Sequence, residues 1–203
     1  MTNGLGRRHT GMVAVVSKET VDVDVQTVTD EPAPVPRLVV VQALPKGDRG
    51  ELAVELLTEV GVDEIVPWSA ERCVTQWRGD KVAKATDKWR ATARESTKQS
   101  RRSWTPLVSD LASTRDVCAR LAAAARAVVL HESATEPLAG IEAPTDGEIV
   151  LVIGPEGSLT DGEVAAFVEA GAAVRHMGAP VMRTSTAGAV AAAVILSRTT
   201  RWA

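Results

Sequence analysis

Three strand-like runs in this chain end in residues that could meet a ligand. Ile149 to Ile153 stops at Gly154-Pro155-Glu156-Gly157, Ala173 to Met177 at Gly178-Ala179-Pro180, and Ala127 to Leu130 at His131-Glu132. Glycine lets backbone approach a ligand closely, and proline stiffens the turn. Strand ends of this kind are where α/β sheets bind small molecules. One such loop alone is equally a tight strand-to-helix turn, and His131 alone is more often a hydrogen-bonded strand-end residue. The pattern is neither GxGxxG nor a Walker A loop, since no Lys-Ser/Thr follows. Arg183 stands between a Gly/Pro loop and a helix start, where a cation gains nothing from the helix dipole. That place suits holding an anion or a developing oxyanion. A surface salt bridge is the ordinary alternative.

A second group of residues could meet phosphate. Between Arg78 and Arg102 there are nine Lys/Arg against three acids, in a chain whose total charge is −3. Lys84 and Lys88 are helical neighbours, as are Arg94 and Lys98, with Arg101 and Arg102 one turn on. Most charge runs are solvated helix faces, but a basic island on an acidic body favours phosphate contact. Trp89 and Trp104 flank the island and could pack inward or stack on bases.

The elements that must position these groups alternate. Residues 12–28 alternate apolar and polar with period two, which predicts strands with one buried face. Glu31 to Pro36 reads as a stiff linker. Arg37 to Val41 predicts a strand buried on both faces, followed by a helix over Glu51–Val60 stopped by Gly61. A strand over Ile65–Trp68, a helix from about Asp80 to Gln99, and a helix capped at Ser109 or Ser113 come next. Thr160 and Glu163 form a capping box, with Gly171 closing that helix. Thr184 or Ser185 starts a last, Ala-rich helix. Strands alternating with helices predict a mostly parallel sheet covered on both faces.

The totals exclude several classes. The 203 residues, 45% apolar, can bury a core, and with no Tyr and one Phe that core is aliphatic. No apolar run approaches the roughly 18–20 residues of a membrane span, and no secretory signal pattern opens the chain. Cys73 and Cys118 lie far apart without a CxxC partner, so neither a metal site nor a disulfide framework is expected. These features favour a reduced cytoplasm.

The ordered motifs carry a resemblance. Ile153-Gly154-Pro155-Glu156-Gly157, Met177-Gly178-x-x-Val181-Met182-Arg183-Thr184-x-Thr186-Ala187, the Gln42 to Asp48 stretch, Thr58-Glu59-Val60-Gly61, Glu71-Arg72-Cys73 and Glu95-x-x-x-Gln99-Ser100-x-Arg102 resemble the RsmE family of small-subunit ribosomal RNA uridine-N3 methyltransferases, in the SPOUT superfamily. The likeness covers about residues 37–198. Ser185 stands where the family usually has an acid, Leu56 where a Lys is common, and Ser158 where a second Gly often follows.

The resemblance implies a knotted α/β fold in residues 37–203, with a trefoil knot at its C-terminal end, binding S-adenosylmethionine as a homodimer. Residues 1–30 resemble the last part of a PUA-like β-barrel, joined by a linker at 31–36. Leu130, His131, Glu132, Ile153, Gly154, Pro155, Glu156, Gly157, Met177, Gly178, Val181, Met182, Arg183, Thr184, Thr186 and Ala187 would line the cofactor pocket. Arg183 would face the target base in catalysis, with Glu156 and Glu132 as weak candidates for a proton acceptor. Lys46, Arg72, Lys84, Lys88, Arg94, Lys98, Arg101 and Arg102 would meet RNA, the partner being 16S ribosomal RNA or the small ribosomal subunit. No metal and no membrane are implied. The rival readings are a transfer-RNA ribose 2′-O-methyltransferase of the same superfamily and an inactive RNA-binding module.

Overall fold

The computed structural model describes residues 1–202. Two antiparallel strands come first, β1 (Arg7–Val16) and β2 (Val21–Asp30), longer than the alternating pattern predicts. The expected buried face is absent. Met12, Val15, Val21, Val25 and Val28 are all exposed, because among the described residues the ribbon pairs with no further strand. Only its base is anchored. The Gly6 N–H donates to the Ser103 carbonyl at 2.9 Å, and Arg8 donates to Ser103 Oγ and Glu31 at 2.7 and 2.8 Å. Trp104 donates its indole N–H to the carbonyls of Glu31 and Pro32, both at 3.1 Å, so it packs against the linker.

From Arg37 onward strand and helix alternate as β3 (Arg37–Ala43), α1 (Arg49–Val60), β4 (Glu64–Trp68), α2 (Asp80–Gln99), β5 (Leu107–Val108) and α3 (Thr114–Ala123). Then follow β6 (Arg126–Leu130), β7 (Glu148–Ile153), α4 (Asp161–Glu169), β8 (Ala173–Arg175) and α5 (Thr184–Leu196). The six strands of this second sheet run β5-β4-β3-β7-β6-β8, every pairing parallel. Helices α1, α2 and α5 cover one face, and α3 with α4 the other. The central strands are therefore buried on both sides, which is why Leu38–Val41 and Ile149–Val152 are continuous apolar runs. Trp68 and Phe167 join the core edge to face, centroids 5.3 Å apart.

The helix signals act where expected. Ser113 with Asp116, and Thr160 with Glu163, form reciprocal capping boxes. Gly61 and Gly171 sit at positive φ and close α1 and α4. Two differences stand out. β5 is only two residues long, too short to leave a periodic trace. β8 stops at Arg175 because the His176 backbone turns aside to exchange hydrogen bonds with Glu136 and Leu138 in the loop before β7. Among the described residues no helix is long and apolar enough to cross a membrane, and no group of His, Cys, Asp or Glu could hold a metal.

Glu64, at the start of β4, is 3% exposed and ionic. Arg120 reaches it from α3 at 2.5 and 3.0 Å, Arg37 at 2.5 Å and Ser109 Oγ at 2.5 Å, while Arg37 also pairs with Glu148. Burial pushes the carboxyl up, but the bonds from Arg120 and Ser109 and the charges of Arg120 and Arg37 outweigh it, so it titrates below the ordinary glutamate range. A depressed carboxylate stabilises the fold above its unfolded value, about pH 4.3, and that contribution is lost as pH falls through the lower folded value. Arg120→Ala should cost about 2–4 kcal/mol in urea unfolding at neutral pH. Glu64→Gln should flatten the acid limb of stability below about pH 4.3 relative to the parent.

Candidate functional site

Because β6, β7 and β8 are parallel neighbours, their carboxyl ends open on the same edge, and the chain reverses there three times. The result is one pocket of about 380 Å³. Leu130, His131 and Glu132 form one wall, and Ile153 to Glu156 with Ser158 and Leu159 the second. Arg175 to Gly178 and Pro180 to Thr184 form the third, with Ala187 of α5 below.

The second wall is braced from both sides. Glu156 Oε1 accepts from the Lys46 backbone N–H at 3.0 Å, which ties it to the loop after β3. Arg72 donates to the carbonyls of Gly157 and Leu159, each at 3.4 Å. A Cβ on Gly157 would stand 3.0 Å from Arg72 Cβ and 3.1 Å from its carbonyl, so a larger residue would push Arg72 back by a few tenths of an ångström. Glu163, buried in α4, accepts from the Glu71 N–H at 2.9 Å and holds the same loop from below. Ser158, where a glycine often stands in the resembling family, takes the left-handed conformation at φ 61. Its hydroxyl donates to Glu132 Oε1 at 2.8 Å and joins the first wall to the second.

Glu132 is consequently acidic. Its own backbone N–H, then the Ser158 hydroxyl, hold its carboxyl below the usual range. His131 places Nδ1 2.7 Å from Ser133 Oγ, the ordinary strand-end arrangement. Arg183 is the N-cap residue of α5 and exposed, and its guanidinium meets no acidic partner among the described residues. The salt bridge that was its alternative is therefore not formed. Val181 beside it is 80% exposed.

Of the predicted cofactor residues, Gly157 and Thr186 lie outside the lining. Gly157 faces Arg72, and Thr186 Oγ1 turns back to the Arg183 carbonyl at 3.2 Å. Sequence reasoning missed Ser158, Leu159, Arg175 and His176, while Pro180 belongs to the Gly178–Pro180 loop already singled out. Ser158 was legible as a polar residue at a turn position needing φ > 0, whereas Arg175 carries no local signal.

The basic island divides. Lys84, Arg94 and Arg101 are exposed, Lys88 pairs with Glu51 at 2.7 Å, and Lys98 with Glu95 at 2.7 Å. Lys46 and Arg72 are exposed beside the Glu156–Gly157 loop. Arg102 is a correction. Its side chain is 14% exposed and donates to the carbonyls of Thr58 and Val62 at 2.7 and 2.8 Å, so it seals the end of α1 and is not offered to RNA. Trp89 packs inward against Trp77.

The family model of the RNA methyltransferase domain matches residues 31–196. Ribosomal RNA small subunit methyltransferase E of Bacillus subtilis is 30% identical over 192 residues, covering 91% of this chain and 75% of that protein. The chain belongs to this methyltransferase E family. The member from Mycobacterium tuberculosis is 46% identical over 171 residues, or 82% of this chain, and the chain spans 65% of that relative's length. Methyltransferase E of Neisseria gonorrhoeae, solved bound to S-adenosyl methionine, superposes with a TM-score of 0.85 at 26% identity, covering 97% of this chain and 81% of that one. The likeness thus extends over the pocket, α2 and the N-terminal ribbon.

Ser158 supplies a local test of the walls. Ser158→Gly should leave stability within about 1 kcal/mol, since relief of the left-handed backbone offsets the lost bond to Glu132. Ser158→Val should cost about 2 kcal/mol, both effects then acting together. Urea unfolding of the two variants checks this.

Proposed function

We propose that this chain is an S-adenosylmethionine-dependent methyltransferase that methylates N3 of a uridine in 16S ribosomal RNA, acting in the cytoplasm on the RNA or the small ribosomal subunit. The observation that carries the reading is the three-walled pocket at the parallel strand ends, in a chain of the methyltransferase E family, with an unpaired arginine at its mouth. The pocket fits the cofactor. Its volume of about 380 Å³ lies within the usual range for small-molecule sites. Leu130, Ile153, Met177, Met182 and Ala187 offer apolar wall, loop backbone offers hydrogen bonds, and Glu132 offers a carboxylate for hydroxyl or cationic groups. Bound there, S-adenosylmethionine supplies an electrophilic methyl group.

The chain's own part is alignment and charge. Uridine N3 must reach the methyl in line, an orientation task for the rigid strand-end walls. The uridine is taken up unpaired or extruded from its helix. As the N3 proton leaves to solvent water, negative charge grows on the base carbonyl oxygens, and the guanidinium of Arg183 at the pocket mouth can stabilise it. Glu132, held acidic, and Glu156, engaged by the Lys46 amide, serve the walls better than they would serve as proton acceptors.

Finer features follow the same reading. The chain returns from β8 past the loop that holds Leu138–Gly140, which both His176 and α5 touch, to lay α5 on α1, β3 and β7, and this contact supports a trefoil knot. Exposed Val181 and Met182 at the pocket mouth support a homodimer that covers them. Residues 1–30 form a partial PUA-like β unit, 31–36 a linker, and 37–203 the methyltransferase domain.

Two measurements test this. S-adenosylmethionine at a hundred times its Kd should stabilise the chain by about 2.7 kcal/mol, seen as a rise of several degrees in melting temperature. No shift overturns the cofactor assignment. Arg183→Ala should keep that shift yet lose methyl transfer to small-subunit RNA by about 100-fold. Unchanged transfer overturns the role of Arg183, and a methyl mapped by mass spectrometry to ribose rather than uracil overturns the N3 assignment.

A further inference from the structure

A second, smaller slot lies across the Pro45–Lys46 loop from the main pocket. It holds about 70 Å³ between Gly50 and Glu51 of α1, Thr75 and Trp77, and Lys88 and Trp89 of α2. That is roughly two water volumes, room for the edge of a planar ring. Trp77 and Trp89 meet edge to face with centroids 5.1 Å apart at 81°. Trp89 is 3% exposed, but its indole nitrogen is not sealed off: it has no acceptor among the described residues and opens to solvent. By contrast, Trp68 donates to Thr114 Oγ1 and Trp104 to two carbonyls. Gly50 leaves the Trp89 N–H uncovered, since a Cβ there would stand 2.9 Å from Nε1. The slot thus exposes an unpaired donor, free to exchange water for an acceptor on a ligand.

We propose that this slot receives the edge of an unpaired RNA base flanking the methylated one, an inference that rests on the function proposed above. Base edges carry carbonyl and ring-nitrogen acceptors for the Trp89 N–H, and amino donors for Glu51. The half-buried Trp77 ring offers a stacking face. Lys88, paired with Glu51 at 2.7 Å but 64% exposed, and the exposed Lys84 stand at the rim where a phosphate would pass. The loop between slot and main pocket is fixed to the pocket wall by the Lys46 amide on Glu156 at 3.0 Å. A base in the slot therefore sits one loop away from the main pocket. Enzymes that act on an extruded base select it partly through its flanking nucleotides.

The test is anisotropy titration of the full chain with short, unstructured, labelled RNA oligomers of uridine, adenosine or cytidine, and with an abasic oligomer of equal length. Trp77→Leu should weaken binding of at least one base-bearing oligomer about tenfold. Trp89→Phe and Gly50→Ala should weaken it about two- to tenfold, by removing the N–H or plugging the slot. None of the three should change binding of the abasic oligomer, and each should keep the melting shift with S-adenosylmethionine, which reports an intact fold and main pocket. Parent-like affinity of Trp77→Leu and Trp89→Phe for every base-bearing oligomer overturns the slot alone and leaves water as its occupant. Equal weakening on the abasic oligomer also overturns it. Failure of the unaltered chain to bind any oligomer overturns both the slot and the RNA substrate.

Discussion

Parallel pairing of β3, β7, β6 and β8 is the interaction on which the site depends. With all four strands running one way, each carboxyl end emerges on the same edge, and each following loop must turn there. The pairs Gln42 with Ile153 and Leu130 with Arg175 fix how far each strand projects before it turns. A single slip would carry Ile153 from one face of the sheet to the other and move the glutamate loop with it. The buried apolar strands thus set the pocket's geometry more firmly than any residue that lines it.

The loops themselves are held by polar contacts of moderate strength, distributed over several partners. Glu163 serves a helix cap and the Glu71 amide together, while Arg72, Ser158 and the Lys46 amide each hold one side of the same turn. Glu64 plays the corresponding part under the sheet, where two arginines and a serine keep one carboxylate charged in a place that would otherwise neutralise it. Charged groups are thus used as joints between elements, and Arg183 at the pocket mouth meets no acidic partner among the described residues.

Much of this was legible in the sequence because periodicity and end signals are local. The runs at Arg37 and Ile149, the capping box at Thr160 and the Gly/Pro loops fall where the pattern places them, and the ordered motifs collected most of the lining. Other features depend on partners distant in the chain. Arg102 looks like its basic neighbours until the carbonyls that end α1 close around it. β5 is too short for a pattern, and Arg175 faces the pocket only because β8 pairs with β6. The N-terminal ribbon shows the opposite limit. Its alternation is real, but alternation states a preference for burial and cannot supply the surface that satisfies it.

The contact between the Lys46 amide and Glu156 has a consequence beyond bracing a turn. It makes one short loop the common boundary of two cavities, so a ligand that shifts the loop in one cavity changes the free energy of binding in the other. Such coupling is reciprocal by thermodynamic necessity. If an occupant of the large pocket draws Glu156 toward it, it also resets the aperture beside Trp89, and an occupant of the slot acts back on the large pocket with the same energy. Whichever ligand arrives first, it changes the affinity for the second by the same factor. What remains is a single fold that registers whether both are present.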